Sequence, residues 1–242
     1  MRKVISAIIC LITSLTFFSS CDNDGYSLDD IYIYLATVNQ VGDNSIDLTL
    51  DDGTKLWPTN IYSYNVSKNK QRAVAYFTVI SDKQGEYDHY IVLHRLYNIL
   101  TKDIIDLTKE NQDSIGNDPI KINRYWQGDD YLNIEFTYKR SGEDTHFINL
   151  VNNTTNESMN NDEIQVEFRH NANNDPQRNE INGMVAFDLR PYKKEMKDSL
   201  DFIIIVNDFD GEKTYKFTYR QKTFKKADKI NINNISDATQ YK

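Results

Sequence analysis

Between Tyr131 and Lys139 apolar and polar residues alternate without a break. Leu132, Ile134, Phe136 and Tyr138 fall on one side, and Asn133, Glu135 and Thr137 on the other. Successive side chains of a strand point to opposite faces, so this period of two commits the segment to a half-buried strand. The signature recurs. Ile46, Leu48 and Leu50 alternate with Asp47 and Thr49, and Ile91, Leu93 and Arg95 alternate with Val92, His94 and Leu96. Residues 31–38 read IYIYLATV, and residues 72–80 form a further run with Val74, Tyr76 and Thr78 expected on one face. Sixteen Tyr and eleven Phe supply the aromatic residues that pleated surfaces favour.

Turn chemistry divides these runs. Asp51-Asp52-Gly53-Thr54 is a hairpin signal, because Gly supplies the positive φ of a tight turn, and Pro58 ends or edges the return strand. Asp208-Phe209-Asp210-Gly211 reads the same way. Residues 28–101 hold roughly five strands on this reading, which suits a small barrel. Residues 102–118 are polar and charged and end in Gly116-Asn117-Asp118-Pro119, marking a junction that Ile104 and Ile105 make packed rather than floppy. Residues 102–228 hold about seven more strands, for which two packed antiparallel sheets are the natural solution. One short helix is expected over 191–197, with Pro191 near its first turn. Residues 229–242 form a C-terminal tail. The fold class is therefore all-β, a small barrel followed by an antiparallel β-sandwich.

The N-terminus carries an address rather than a fold. Arg2 and Lys3 precede an apolar stretch over 4–18, too short to span a bilayer comfortably. Ser19, Ser20 and Cys21 follow, and small residues running into a cysteine resemble a lipobox. Residues 1–20 are then a cleaved signal peptide, Cys21 takes the lipid, and residues 21–27 are the tether. Ordinary cleavage with Cys21 as a free thiol is the alternative. Asp22, Asn23 and Asp24 resemble the acidic surface-export signal of Bacteroidetes lipoproteins, and a merely solvated tether would also be polar. The expected location is the outer membrane, at the cell surface, with the periplasmic face as the alternative. Cleavage removes Cys10, leaving Cys21 alone, so no intramolecular disulfide supports the fold.

Charge narrows the partners. The chain has 28 Lys and Arg against 36 Asp and Glu, net −8, and loss of Arg2 and Lys3 makes the balance more negative. Nucleic acid needs a basic face, so Tyr32, Tyr34, Tyr62 and Tyr76 do not form a strand-binding platform, and no nucleic-acid partner is expected.

Catalytic and metal signals are absent at the level of motif. There is no Gly-x-Ser-x-Gly elbow, no Cys beside a His and no phosphate-cradling loop. No two of the four His lie within four residues, so a zinc spacing is missing, and drawing His146, His170, Asp118 and Asp175 together would need the fold. No cofactor, metal or catalytic residue is assigned. The densest polar cluster is Arg169-His170-Asn171 with Asp175. It reads either as a recognition loop or, preferably, as a hydrogen-bonded structural network. Trp126, at a strand end beside Gly128-Asp129-Asp130, is a candidate for stacking on a ligand, whereas Trp57 is assigned to the core. Asp113-Ser114-Ile115 and Asp198-Ser199-Leu200 resemble the short O-glycosylation pattern of Bacteroidetes, which would place glycans on Ser114 and Ser199.

Several longer strings, taken in order, carry a family resemblance. They are DGYS at 24–27, ATV at 36–38, DDGTKLWP at 51–58, ILTK at 99–102, GNDPI at 116–120, Trp126, GDDYLNI at 128–134, HFINLV at 146–151, FRHNANND at 168–175 and VAFDL at 185–189. The chain resembles the NigD-like lipoproteins of Bacteroidetes over nearly all of its length after Cys21. The resemblance implies an N-terminal OB-like barrel and a C-terminal β-sandwich. It also implies, through the bacteriocin-associated operon that names the family, a role in immunity or in an envelope complex. The expected function is a non-enzymatic binding or accessory lipoprotein with an unknown protein partner. A cell-surface glycan-binding lipoprotein and a polysaccharide-acting enzyme are the alternatives.

Overall fold

The computed structural model describes residues 25–43, 45–60, 69–142, 144–153, 163–176, 178–194, 198–221 and 242. The signal peptide, Cys21, Tyr62 and most of the 229–242 tail lie outside the described residues.

Five strands close a barrel in the order β1-β2-β3-β5-β4: β1 (Tyr32–Val41), β2 (Ser45–Leu50), β3 (Lys55–Pro58), β4 (Gln71–Ser81) and β5 (His89–Asn98). The Asp51-Asp52-Gly53 turn joins β2 to β3, with Gly53 at φ 83°. Ala36, Val38, Ile46, Leu48, Leu50, Leu56, Ala73, Ala75, Phe77, Val79, Ile91 and Leu93 fill the interior. In β4 it is therefore the odd positions that point inward, with alanine at 73 and 75 where opposing walls come close. Val74, Tyr76 and Thr78 share the opposite face, as their alternation predicts. That face is the outer wall, where Val74 is also buried, against Leu35, Ile99 and Met184. The alternation of β5 breaks. Tyr76 pairs with Arg95 but Phe77 pairs with Leu93, so His94 is the extra residue of a bulge. After it Leu96, not Arg95, packs toward the barrel core.

The rest of the chain forms a two-sheet sandwich. One sheet has the order β6-β12-β9-β8, from β6 (Leu100–Asp103), β8 (Lys121–Gly128), β9 (Tyr131–Arg140) and β12 (Asn179–Asp188). The other has the order β14-β13-β11-β10-β7, from β7 (Ile105–Asp106), β10 (Phe147–Asn152), β11 (Glu163–Asn171), β13 (Ser199–Asp208) and β14 (Gly211–Arg220). Most pairings are antiparallel, but β7–β10, β6–β12 and β11–β13 are parallel. The sandwich core includes Ile134, Phe136, Leu150, Phe168, Phe187, Phe202 and Val206. The junction is ordered: β6 and β7 join the two sheets, and a single-turn helix α1 (Gln112–Ile115) buries Ile115 against Leu107 and Val151. Of the helix expected over 191–197, the described part is a 3-10 turn at Arg190–Lys194, and 195–197 lie outside the described residues.

The β8-β9-β12 face is covered on both sides. Its inner residues enter the sandwich core, while Trp126 and Met184 pack with Leu35 and Val74 of the barrel wall. Double coverage explains the unbroken burial of Gly183–Asp188 and of much of β4, which sequence alternation alone would leave half exposed.

Candidate functional site

The start of β1, the β2–β3 turn, the end of β4 and the start of β5 meet at one end of the barrel. Deeper in, β1 contributes Ala36 and Val38 to the interior, but at this end the inward positions are Tyr32 and Tyr34. The rings gather around Phe77: Tyr32 and Phe77 have centroids 5.8 Å apart, Tyr34 and Phe77 6.2 Å, and Tyr32 and Tyr34 6.4 Å. Large rings cannot close the barrel end as tightly as alanines close its middle. A half-open cavity of about 160 Å³ remains, walled by these rings with Leu50, Leu56 and Val79, and rimmed by Asp52, Thr54 and His89.

The rim is held in place. An Asp52 carboxylate oxygen accepts from the Thr54 amide at 3.0 Å, which orders the turn. His89 Nδ1 lies 3.2 Å from the Ser81 carbonyl. Its ring meets Tyr26 edge-on at 6.4 Å, and Tyr26 donates its hydroxyl to Asp82. Tyr26, Leu28 and Ile31 are 43%, 71% and 53% exposed, so the approach to the mouth is itself apolar. Aromatic rings, phenol hydroxyls, the Asp52 carboxylate, the Thr54 hydroxyl and the His89 imidazole around a small opening are recognition chemistry.

Behind the mouth the two domains are joined by a buried arginine. Arg72 is 0% exposed, lying between the barrel wall and β9. Its guanidinium donates to Asp51 Oδ1 at 2.5 Å, to Thr37 at 3.0 Å and to Asn133 at 3.4 Å, and sits 5.3 Å from the Tyr131 ring centroid. Trp126 Nε1 donates to the other Asp51 oxygen at 3.0 Å. Its indole lies 4.3 Å from the Arg124 guanidinium, which is itself paired with Glu135. Trp126, proposed from sequence as a stacking residue, is thus half-buried in the joint between domains. Gly128 completes the joint, since a Cβ there would lie 2.3 Å from the Asp51 carboxylate.

The Arg169-His170-Asn171 cluster is divided by the pleat of β11. Arg169 pairs with Glu167 on one face and reaches the Gly116 carbonyl. Asn171 ties α1 by donating to Ser114 and Asp113 carbonyls. His170 points the other way and is 0% exposed. Its Nδ1 lies 3.2 Å from the Pro119 carbonyl and its Nε2 lies 2.8 Å from His146 Nδ1. The rings stack at 5.1 Å, with Tyr138 edge-on to both. Asp175 receives the Ser141 and Gly142 amides and stands 3.7 Å from His146 Nε2. Burial lowers the pKa of both imidazoles, in His170 with help from His146, to about 4 for His170; for His146 the Asp175 carboxylate opposes the shift. The fold therefore does bring two distant histidines together, which spacing alone hid. With the His170 nitrogens engaged and both rings out of solvent, the pair pins the end of the sandwich. Among the described residues no group of three or more His, Cys, Asp and Glu is arranged to hold a metal ion. Ser114 and Ser199 are both exposed, and the Ser114 hydroxyl donates to the Asn111 carbonyl. Among the described residues no helix is long and apolar enough to cross a membrane.

Sequence reasoning named Tyr32 and Tyr34 only as general strand aromatics. The signal that would have placed them is the change from Tyr to Ala and Val along one face of β1, which marks where a barrel opens.

Comparison with known proteins agrees with this architecture. Residues 35–99 match the NigD-like N-terminal OB domain, and residues 103–219 match the NigD-like C-terminal beta sandwich domain. A solved structure from Parabacteroides distasonis, described as toxin-related, is 37% identical, with a TM-score of 0.67 over 79% of this chain and 94% of that one. A protein of unknown function from Bacteroides vulgatus is 28% identical, with a TM-score of 0.67 over 88% of this chain and all of that one. A NigD-like immunity protein from Bacteroides caccae shares the fold at 20% identity, with a TM-score of 0.59 over 81% of this chain and 99% of that one. Among curated proteins, none matches.

Proposed function

The chain belongs to the NigD-like family, and from that membership, its Cys21 ending and the open mouth of its barrel we propose that it is a lipid-anchored binding or accessory protein with no catalytic centre of its own. The observation that carries the reading is the ring-lined cavity formed by Tyr32, Tyr34 and Phe77 with Asp52 and Thr54 on its rim. It is a receptor for a protruding group rather than a vessel for a reaction. A cavity of about 150 Å³ holds a benzene-sized molecule, and sites that enclose whole small-molecule ligands run to roughly 300–1,000 Å³. One side chain of a protein partner fits this opening. The Arg72 joint holds the barrel wall against the sandwich, so the mouth is presented at a fixed angle to whatever the tether positions it against.

Attachment follows from Cys21, with the outer membrane as its site and the cell surface as the side presented. The relative described as toxin-related supports a partner drawn from toxin or immunity systems, and a structural neighbour carries the immunity name. The test is genetic. Deleting the gene changes sensitivity to a toxin or the composition of an envelope complex, and Tyr34→Ala reproduces the deletion while leaving protein levels unchanged. A deletion without either phenotype, or a Tyr34→Ala strain indistinguishable from wild type, overturns the proposal. Protease added to intact cells digests the domains if they face outward, and a Cys21→Ala chain loses its membrane attachment.

A second reading keeps the same cavity. Tyrosine faces beside a carboxylate and a hydroxyl also suit a sugar ring, which makes a surface glycan the alternative ligand. A response on a glycan array that Tyr34→Ala abolishes would favour it.

A further inference from the structure

We propose that the barrel mouth recognises a cationic side chain, a guanidinium or ammonium carried by a basic polypeptide partner. The inference rests on the reading of the mouth as a binding site and adds the chemistry of its occupant.

Three features of the cavity select for positive charge. First, Tyr32, Tyr34 and Phe77 bring three π systems into one wall, and ring faces attract a cation through their quadrupole. Second, the charged group of fixed sign on the rim is Asp52, whose carboxylate is positioned by the Thr54 amide and faces the same cavity as the rings. Third, acids stand among the apolar residues of the approach. Asp82 stands beside Tyr26, and Asp29 and Asp30 lie on the chain leading into β1. Lys55 and Lys83 are the nearby cations, and each lies within salt-bridge distance of an acid, Glu86 and Asp88 respectively. The whole chain carries net −8, so a basic partner is attracted at long range and an acidic one is repelled. An anion would meet Asp52 at the rim, and a neutral group would gain nothing from the charge there. A guanidinium fits best: its plane stacks on a ring while its edge donates to a carboxylate.

The geometry sets a direct test on the purified full chain. Amide chemical shifts are followed by NMR during titration with N-acetyl-arginine methylamide, with the neutral isostere N-acetyl-citrulline methylamide, and with methyl glucoside. The arginine probe should shift Tyr32, Asp52, Thr54 and His89 together with a Kd on the order of 1 mM, as befits one side chain. Citrulline should bind roughly tenfold more weakly, the worth of a charge-assisted contact. Asp52→Asn keeps an oxygen for the Thr54 amide, so the turn survives, and it should bring arginine affinity down to the citrulline value. Tyr34→Leu should weaken the arginine probe with the carboxylate intact. Equal binding of arginine and citrulline, an unaffected Asp52→Asn, or shifts from glucoside at lower concentration would each overturn the proposal. If the arginine probe binds as expected but Tyr34→Ala has no phenotype in cells, it is the broader functional reading that fails. If the phenotype appears and the probe does not bind, this inference fails alone.

Discussion

Single residues carry the joint between the domains and the end of the sandwich. Arg72 is out of solvent, and its charge is tolerated because Asp51, Thr37 and Asn133 accept its hydrogen bonds. Arg72→Ala strands the Asp51 carboxylate in the joint and should cost about 3–5 kcal/mol, the range for a buried pair broken on one side; urea unfolding reads the loss. Gly128→Ala pushes a Cβ into the same carboxylate and should destabilise in the same assay. The histidine pair makes stability depend on pH. His170 is neutral in the folded protein down to about pH 4, whereas in the unfolded chain it takes a proton below about 6.5. The unfolded state therefore binds more protons in that window, so stability is full above about 6.5 and falls as the pH drops. His146 shifts in the same direction. Between pH 7.5 and 5, above most carboxylate titrations, the loss from His170 alone should be about 2 kcal/mol by urea unfolding. A flat profile over that interval contradicts the buried pair. None of this was legible from residue order. Arg72 opens a strand run as any surface arginine might, and His146 and His170 are separated by a full strand connection.

At the level of elements the alternation rule worked where a strand has one wet face and failed where it has none. Residues 46–50 alternate in burial as expected, whereas 131–139, expected to be half-buried, are covered on both sides, with Asn133 and Thr137 buried as well. In β4 both faces are largely dry, so its hydrophobic pattern could not say which one the barrel used. In β5 the bulge at His94 reverses the phase midway, and no composition signal announces it. Turns were the most readable elements, since Gly53 and Gly211 both have positive φ. Gly53→Ala should cost on the order of 1 kcal/mol through strain at φ 83°, measured as a lowered Tm, and should also disturb Asp52 at the rim. Gly183 faces Phe136 across the β9–β12 pair with a would-be Cβ 2.4 Å from the ring. Gly183→Val should therefore destabilise sandwich and barrel together, read by hydrogen exchange.

For the whole molecule the consequence of double coverage is mechanical. A barrel wall and a sandwich sheet share one dry seam through Leu35, Val74, Trp126 and Met184, with Arg72 at its polar end. The two domains should unfold in one calorimetric transition, and Met184→Asp, which places a charge in the seam, should split it into two. The family resemblance made the order of barrel and sandwich readable, but not the seam, because a contact between domains leaves no periodicity of its own. The mouth left one trace in the sequence, the change from Tyr to Ala and Val along one face of β1, and its walls were visible only in the folded barrel. The most direct test of its role places a photo-crosslinking phenylalanine analogue at Tyr34 in living cells, with a second at Lys216 on the far edge strand as control. The account predicts capture of one protein from position 34, abolished by Asp52→Asn, and no capture of it from position 216. Capture from 216 alone, or capture from 34 that Asp52→Asn leaves intact, would contradict it.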